Sequence, residues 1–105
     1  MQKITPAELK QLRESGKEHQ LIDVREPYEA EICSIGGTLI PMGEVLSRLD
    51  NIRKDVPVVV HCKSGARSAA VIQALESRYG FNNLLNLEGG ILGYASEVDR
   101  SIRCE

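Results

Sequence analysis

Val58-Val59-Val60 is an unbroken β-branched run. A strand without polar alternation is buried on both faces, which places it inside a parallel sheet rather than at a solvated edge. The run passes through His61-Cys62-Lys63-Ser64-Gly65-Ala66-Arg67-Ser68 into Ala69, Ala70, Ile72, Ala74 and Leu75, good helix formers with an apolar stripe. Strand, tight loop and helix in this order gather backbone N–H groups and the positive end of a helix dipole around the loop's centre. Cys62 stands at its mouth. A thiol placed there is acidic, because the N–H donors, Lys63 and Arg67 all favour the nucleophilic thiolate.

The spacing narrows the chemistry. A cysteine loop that cleaves phosphate esters surrounds a tetrahedral oxyanion, and its usual pattern is Cys, five residues, Arg. Here only Lys63, Ser64, Gly65 and Ala66 separate Cys62 from Arg67. A smaller ring of amides is better matched to a sulfur atom carried on the cysteine. The plain alternative is that Cys62 is a small core residue, but that leaves the Lys, Gly, Arg and Ser that follow it unexplained.

The rest of the chain reads as strands alternating with helices. Gln2-Lys3-Ile4 suits a short strand. Thr5-Pro6-Ala7-Glu8 then opens a helix with a capping box and a proline in the first turn, ended at Gly16. Leu21-Ile22-Asp23-Val24 is a strand, Pro27 to Ile32 a short helix, and Thr38-Leu39-Ile40 a strand stopped by Pro41. From Gly43, Val45, Leu46, Leu49 and Ile52 predict a further helix. The helix after the Cys62 loop runs to Tyr79 and ends at Gly80. Leu84 to Leu87 forms the last strand, and a helix bearing Ile91, Leu92, Tyr94 and Val98 follows Gly89-Gly90. This alternation predicts one α/β domain over residues 1–105: a parallel sheet of about five strands, helices on both faces, joined by right-handed crossovers.

Three further features bear on a site. Asp23 lies among apolar neighbours, and a buried carboxylate needs a partner. Arg25 supplies one, so the pair either ties down a strand end or flanks the Cys62 loop, to which parallel strands deliver their C-terminal ends. Gly89-Gly90 is either a plain turn or a close backbone approach to that loop, and the shared sheet edge favours the second. His61 adjoins Cys62, but adjacent strand residues face opposite ways, so its imidazole is expected to point away from the sulfur.

Composition excludes several classes. A net charge of −2 offers no basic field for nucleic acid or anionic lipid. Apolar stretches of about five residues fall far short of the roughly 20 that span a bilayer. No secretory leader opens the sequence, which predicts a cytoplasmic location. Three cysteines at irregular spacing suggest no disulfide framework, and a reducing compartment would keep the thiol available. Cys104 is expected on a mobile tail or, as the minor alternative, as a second thiol resolving a persulfide. The scattered Cys33, His61, Cys62 and Cys104 argue against a metal site.

Cys62 to Ser68 resembles the active loop of the rhodanese family, sulfurtransferases that carry sulfur as a cysteine persulfide. The likeness extends over nearly the whole chain. Leu21-Ile22-Asp23-Val24-Arg25-Glu26 looks like the family's leading signature, Ile35 to Pro41 its middle segment, and Leu87-Glu88-Gly89-Gly90-Ile91 its closing diglycine. Two positions depart from it: Ser34 replaces a usual histidine and Tyr94 a common tryptophan. Cys33 to Glu44 and the Cys62 loop look most like the rhodanese domain fused behind adenylating enzymes of molybdopterin and thiamine synthesis.

The resemblance implies a Cys62 nucleophile that takes a sulfane sulfur from thiosulfate or a protein persulfide and passes it to cyanide, a thiol or a carrier protein. The amides of residues 63 to 68 and the hydroxyls of Ser64 and Ser68 would stabilise the persulfide, and Lys63 and Arg67 would hold an anionic donor. Asp23, Arg25, Gly89 and Gly90 would support the loop. No metal or organic cofactor is called for. The partners implied are a small anionic donor and a cysteine desulfurase or ubiquitin-like sulfur carrier. The rival readings are a cysteine phosphatase or arsenate reductase, and a non-catalytic binding module on the same fold.

Overall fold

A computed structural model describes residues 1–104. Strands β1 (Gln2–Ile4), β2 (Gln20–Asp23), β3 (Thr38–Leu39), β4 (Val58–His61) and β5 (Leu84–Leu87) form one sheet in the order β1-β5-β4-β2-β3. Every neighbouring pair is parallel. The Val58–Val60 run thus occupies the middle strand, and all four residues of β4 are buried. Each fully buried aliphatic side chain there stabilises the fold by about 1.5–3 kcal/mol.

Among the described residues four α-helices cover the sheet: α1 (Pro6–Glu14), α2 (Pro27–Ile32), α3 (Ala66–Tyr79) and α4 (Gly90–Glu97). On one face Val71, Ile72 and Leu75 of α3 pack with Val45 and Ile52 over Ile22, Val58, Val60 and Leu84. On the other, Leu9 of α1 and Ile91 and Tyr94 of α4 pack over Ile4, Val59 and Leu87. Alternation along β4 therefore divides the core into two, as a doubly covered sheet requires. α1 begins with the expected capping box, Thr5 Oγ1 accepting from the Glu8 amide and Glu8 accepting from that of Thr5.

The expected helix after Gly43 is instead two 3-10 segments, Met42–Ser47 and Leu49–Asn51, broken at Arg48, whose φ of −127° and ψ of 35° leave the helical region. Gly43, Asp50 and Asn51 are weak helix formers. Val45 and Ile52 reach the core from these tighter turns while Leu46 remains exposed.

A second correction concerns the cysteines. Cys33 and Cys104, 71 positions apart, form a disulfide, and Cys62 alone is free. The odd count conceals one bonded pair, so Cys104 is not on a loose tail. The segment after α4 folds back beside the end of α2, with Ile102 and Cys104 packed against the α1/α4 side of the core. Cysteine usage therefore gives no argument for a reducing compartment. No helix among the described residues is long and apolar enough to cross a membrane.

Candidate active site

The loop between β4 and α3 is shaped around sulfur. Gly65 takes a φ of +115°, a conformation that side-chain-bearing residues rarely adopt, and immediately precedes α3. Its amide points back at Cys62 Sγ over 3.0 Å. The Ser68 amide, one turn into the helix, lies 3.5 Å from the same sulfur, and the Ser68 hydroxyl 3.4 Å. Burial alone would raise the thiol's pKa. The Ser68 hydroxyl and the amides of Ser68, Gly65 and Ser64 outweigh it and hold the pKa below the usual thiol value. The side chain of Ser64 is exposed and its hydroxyl makes no hydrogen bond to the sulfur, so Ser68 carries that part by itself.

Asn86 on β5 is a member that the sequence does not announce. The shortest contact of the Ser68 hydroxyl is to Asn86 Oδ1, to which it donates at 2.6 Å, and Asn86 Nδ2 donates to the Gly65 carbonyl at 3.2 Å. One side chain thus braces both residues whose amides face the sulfur. The visible signal is a polar residue inside the apolar run Leu84-Leu85-Asn86-Leu87, since buried polar groups are retained only with partners.

Gly89-Gly90 packs against the loop as the shared sheet edge suggests. A Cβ on Gly90 would sit 2.7 Å from the Cys62 carbonyl oxygen and closer still to Lys63. Without one, α4 starts directly on the loop: the Ile91 amide donates to the Cys62 carbonyl at 3.0 Å and the Leu92 amide to that of Lys63 at 3.2 Å. These bonds occupy the Cys62 and Lys63 carbonyls, while the amides of Gly65 and Ser68 face the sulfur.

The two loop cations differ. Lys63 is exposed. Arg67 meets Glu29 of α2 through both terminal nitrogens, at 2.8 and 2.9 Å. The Arg67 hydrogen bond holds the Glu29 pKa down to about 2, and Glu29 in turn raises that of Arg67. The fork expected to be open for a donor therefore already has a carboxylate partner, and Ala66 contributes only its place at the start of α3.

Asp23 and Arg25 form a buried pair with a 2.8 Å contact, Asp23 also accepting from the Arg25 amide at 3.0 Å. Although burial acts to raise it, hydrogen bonds from Arg25 leave the Asp23 pKa lowered. Arg25 continues to the Cys33 carbonyl at 2.7 Å and to Cys33 Sγ at 3.4 Å. The pair ties the end of β2 to the end of α2, which is a scaffold task. His61 is wholly buried with Nε2 3.9 Å from Asp23, in register beside it, while Cys62 belongs to the α3 face. Burial lowers its pKa, so it is a neutral imidazole in the wall behind the loop.

A cleft of about 200 Å³ opens between α2, the loop and the start of α4, lined by Arg25, Tyr28, Glu29, Ile32, Cys33, Lys63, Ile91 and Cys104. Cys62 does not line it. Its thiol faces the amides on the α3 side, and the residue is only 1% exposed.

Residues 5–97 match the family model for the rhodanese-like domain. The chain belongs to the rhodanese-like family. This rhodanese-like domain is similar to a probable adenylyltransferase/sulfurtransferase, MoeZ, of Mycobacterium tuberculosis, with 39% identity over 101 residues, 90% of the chain but 25% of that relative. It spans only a quarter of that relative's length. It is also similar to a sulfurtransferase of Allochromatium vinosum, 40% identical over 76 residues, 71% of this chain and 70% of that one. Among solved structures, a rhodanese-related protein of Thermoplasma volcanium superposes with a TM-score of 0.83 at 30% identity, covering all of both chains. The rhodanese-like domain shares with it the single compact α/β fold.

Proposed function

We propose that this rhodanese-like domain is a sulfurtransferase that carries a sulfane sulfur on Cys62. The observation that supports this most is the convergence of the Gly65 and Ser68 amides and the Ser68 hydroxyl on one sulfur, across a loop with only four residues between Cys62 and Arg67. Donors arranged in this way stabilise an anionic sulfur where it is generated.

In this reading the Cys62 thiolate attacks the outer sulfur of thiosulfate or of a protein persulfide. The S–S bond of the donor breaks, sulfite or the donor thiolate leaves with the electron pair, and Cys62 holds a persulfide. Cyanide or a thiol, including one on a carrier protein, then attacks the terminal sulfur. The bond from that sulfur to Cys62 breaks, its electron pair returns to Cys62 as the thiolate, and thiocyanate or a new persulfide leaves. Lys63 is the exposed cation beside the cleft and draws an anionic donor, and Arg67 contributes field while Glu29 orients it. The mycobacterial relative's name couples sulfur transfer to adenylation, which favours a small sulfur-carrier protein as acceptor. The sulfur would come from thiosulfate or from a cysteine desulfurase.

The test is mass spectrometry after thiosulfate treatment. The peptide carrying Cys62 should gain one sulfur, about 32 Da, and Cys62→Ser should abolish both that gain and thiocyanate formation from cyanide while keeping the fold. A parent protein that hydrolyses an aryl phosphate faster than it moves sulfur would overturn the reading in favour of phosphatase chemistry.

A further inference from the structure

The Cys33–Cys104 disulfide lies outside the machinery around Cys62, yet both of its residues line the cleft that also contains Lys63. Its two sulfurs are not equivalent. Cys33 is buried at 8% exposure, and the guanidinium of Arg25, itself fixed by Asp23, reaches its sulfur at 3.4 Å through Nη1. Cys104 is only partly buried, on a segment that touches the core through Ile102 and its own side chain. In thiol–disulfide exchange the sulfur attacked is the accessible one, and the thiolate that leaves faster is the better stabilised one. Accessibility selects Cys104 for attack, and Arg25 selects Cys33 as the leaving group. Both preferences point the same way.

We propose that Cys33–Cys104 is a redox-active pair, opened by a low-molecular-weight thiol that enters the cleft and attacks Cys104, and that its state decides whether the segment after α4 stays closed over the cleft beside Lys63. In the first step the incoming thiolate forms a bond to Cys104 Sγ. The Cys33–Cys104 bond breaks, and the electron pair leaves on Cys33 Sγ, facing the Arg25 guanidinium. A second thiol then attacks the external sulfur of the mixed disulfide. It departs with the first as a small-molecule disulfide, and the Cys104 thiolate takes a proton from solvent. Two thiols have supplied two electrons, and the protein holds a dithiol.

All buried members of both core clusters precede residue 99, and Ile102 and Cys104 are only partly buried against one of them, so the sheet does not depend on this bond. Reduction therefore releases a segment rather than the fold, and a local packing change becomes a change in the cleft. The proposal holds whether or not Cys62 carries sulfur.

The experiment uses the native chain in a graded series of reduced to oxidised glutathione, quenched with iodoacetamide and read by peptide mass spectrometry. At intermediate ratios glutathione should appear on Cys104 with the alkyl group on Cys33, in at least about tenfold excess over the reverse pairing. At high ratios both should be alkylated, with the circular dichroism unchanged. Glutathione found mainly on Cys33, or a bond that opens only after the chain is unfolded in denaturant, would overturn the redox assignment. Tryptic cleavage after Arg100 reads the segment directly and should accelerate about tenfold or more on reduction. The double variant Cys33→Ser, Cys104→Ser should be cut at the reduced chain's rate. An equal cleavage rate in the oxidised and reduced chains would overturn the coupling to the cleft.

Discussion

At Ser68 a single hydroxyl proton has three acceptors within reach: Asn86 Oδ1 at 2.6 Å, the Gly65 carbonyl at 3.2 Å and Cys62 Sγ at 3.4 Å. Charging the sulfur strengthens its claim on that proton, because a hydrogen bond to an ion is about twice as strong as one between neutral groups. The folded-state pKa of Cys62 is depressed, so the rate of Cys62 alkylation by iodoacetamide should reach half its plateau below the ordinary thiol value of 9.0. Ser68→Ala removes the hydroxyl and leaves the amides, and should move that midpoint upward. A midpoint unchanged in the variant would mean that the amides alone set the thiol's acidity. Asp23 and Arg25 belong to a different class of residue. Loss of either partner strands a buried charge, which typically costs about 3–5 kcal/mol and shows as lost stability rather than altered sulfur chemistry.

Among the elements, α2 is six residues long with no residue classed as buried, yet it meets the site through Glu29. The folded pKa of Glu29, about 2, lies below its unfolded value of about 4.5, so the unfolded chain binds the proton first as pH falls. The Glu29–Arg67 pair therefore stabilises the fold fully above pH 4.5, and its contribution is lost as pH falls towards 2. Thermal melts across that window should show the wild type losing more stability than Glu29→Gln, with the two converging at the acid end. Parallel loss in both would exclude the pair as a pH-dependent contributor. The sequence exposed the strand–loop–helix at Cys62, the caps of α1 and the close approach of Gly90, because each is written in adjacent residues. Glu29 with Arg67, Asn86 with Ser68 and Cys33 with Cys104 stand 38, 18 and 71 positions apart. No local periodicity specifies which distant side chains a crossover brings together. The two 3-10 segments were hidden for another reason: Val45, Leu49 and Ile52 have a spacing that fits an α-helix, and it is the break at Arg48 that resets the phase between two tighter turns.

On the scale of the whole molecule, the site gathers at one end of the sheet. β4 brings Cys62, its neighbour β2 leads to Arg25 and α2, and its other neighbour β5 brings Asn86 and the diglycine. The chain leaves β2 through α2 towards β3 and leaves β4 the opposite way through α3 towards β5, so the ends of these two adjacent strands form a switch point, which is where open α/β sheets place their sites. The donors to the sulfur all sit between β4 and the first turn of α3, but Asn86 from β5 and the amides of Ile91 and Leu92 hold that loop in shape, so the thiol's acidity depends on the assembled sheet edge. Cys62, the one cysteine outside the disulfide, is therefore a clock for the folded state. In the native chain it is a thiol of lowered pKa that is only 1% exposed, and in the unfolded chain it is an open but ordinary one. A bulky maleimide should accordingly label it in proportion to the population of opened molecules, with a denaturant midpoint that coincides with loss of circular dichroism. A small alkylating reagent at mildly acidic pH should do the opposite and react faster with the folded chain than with the unfolded one.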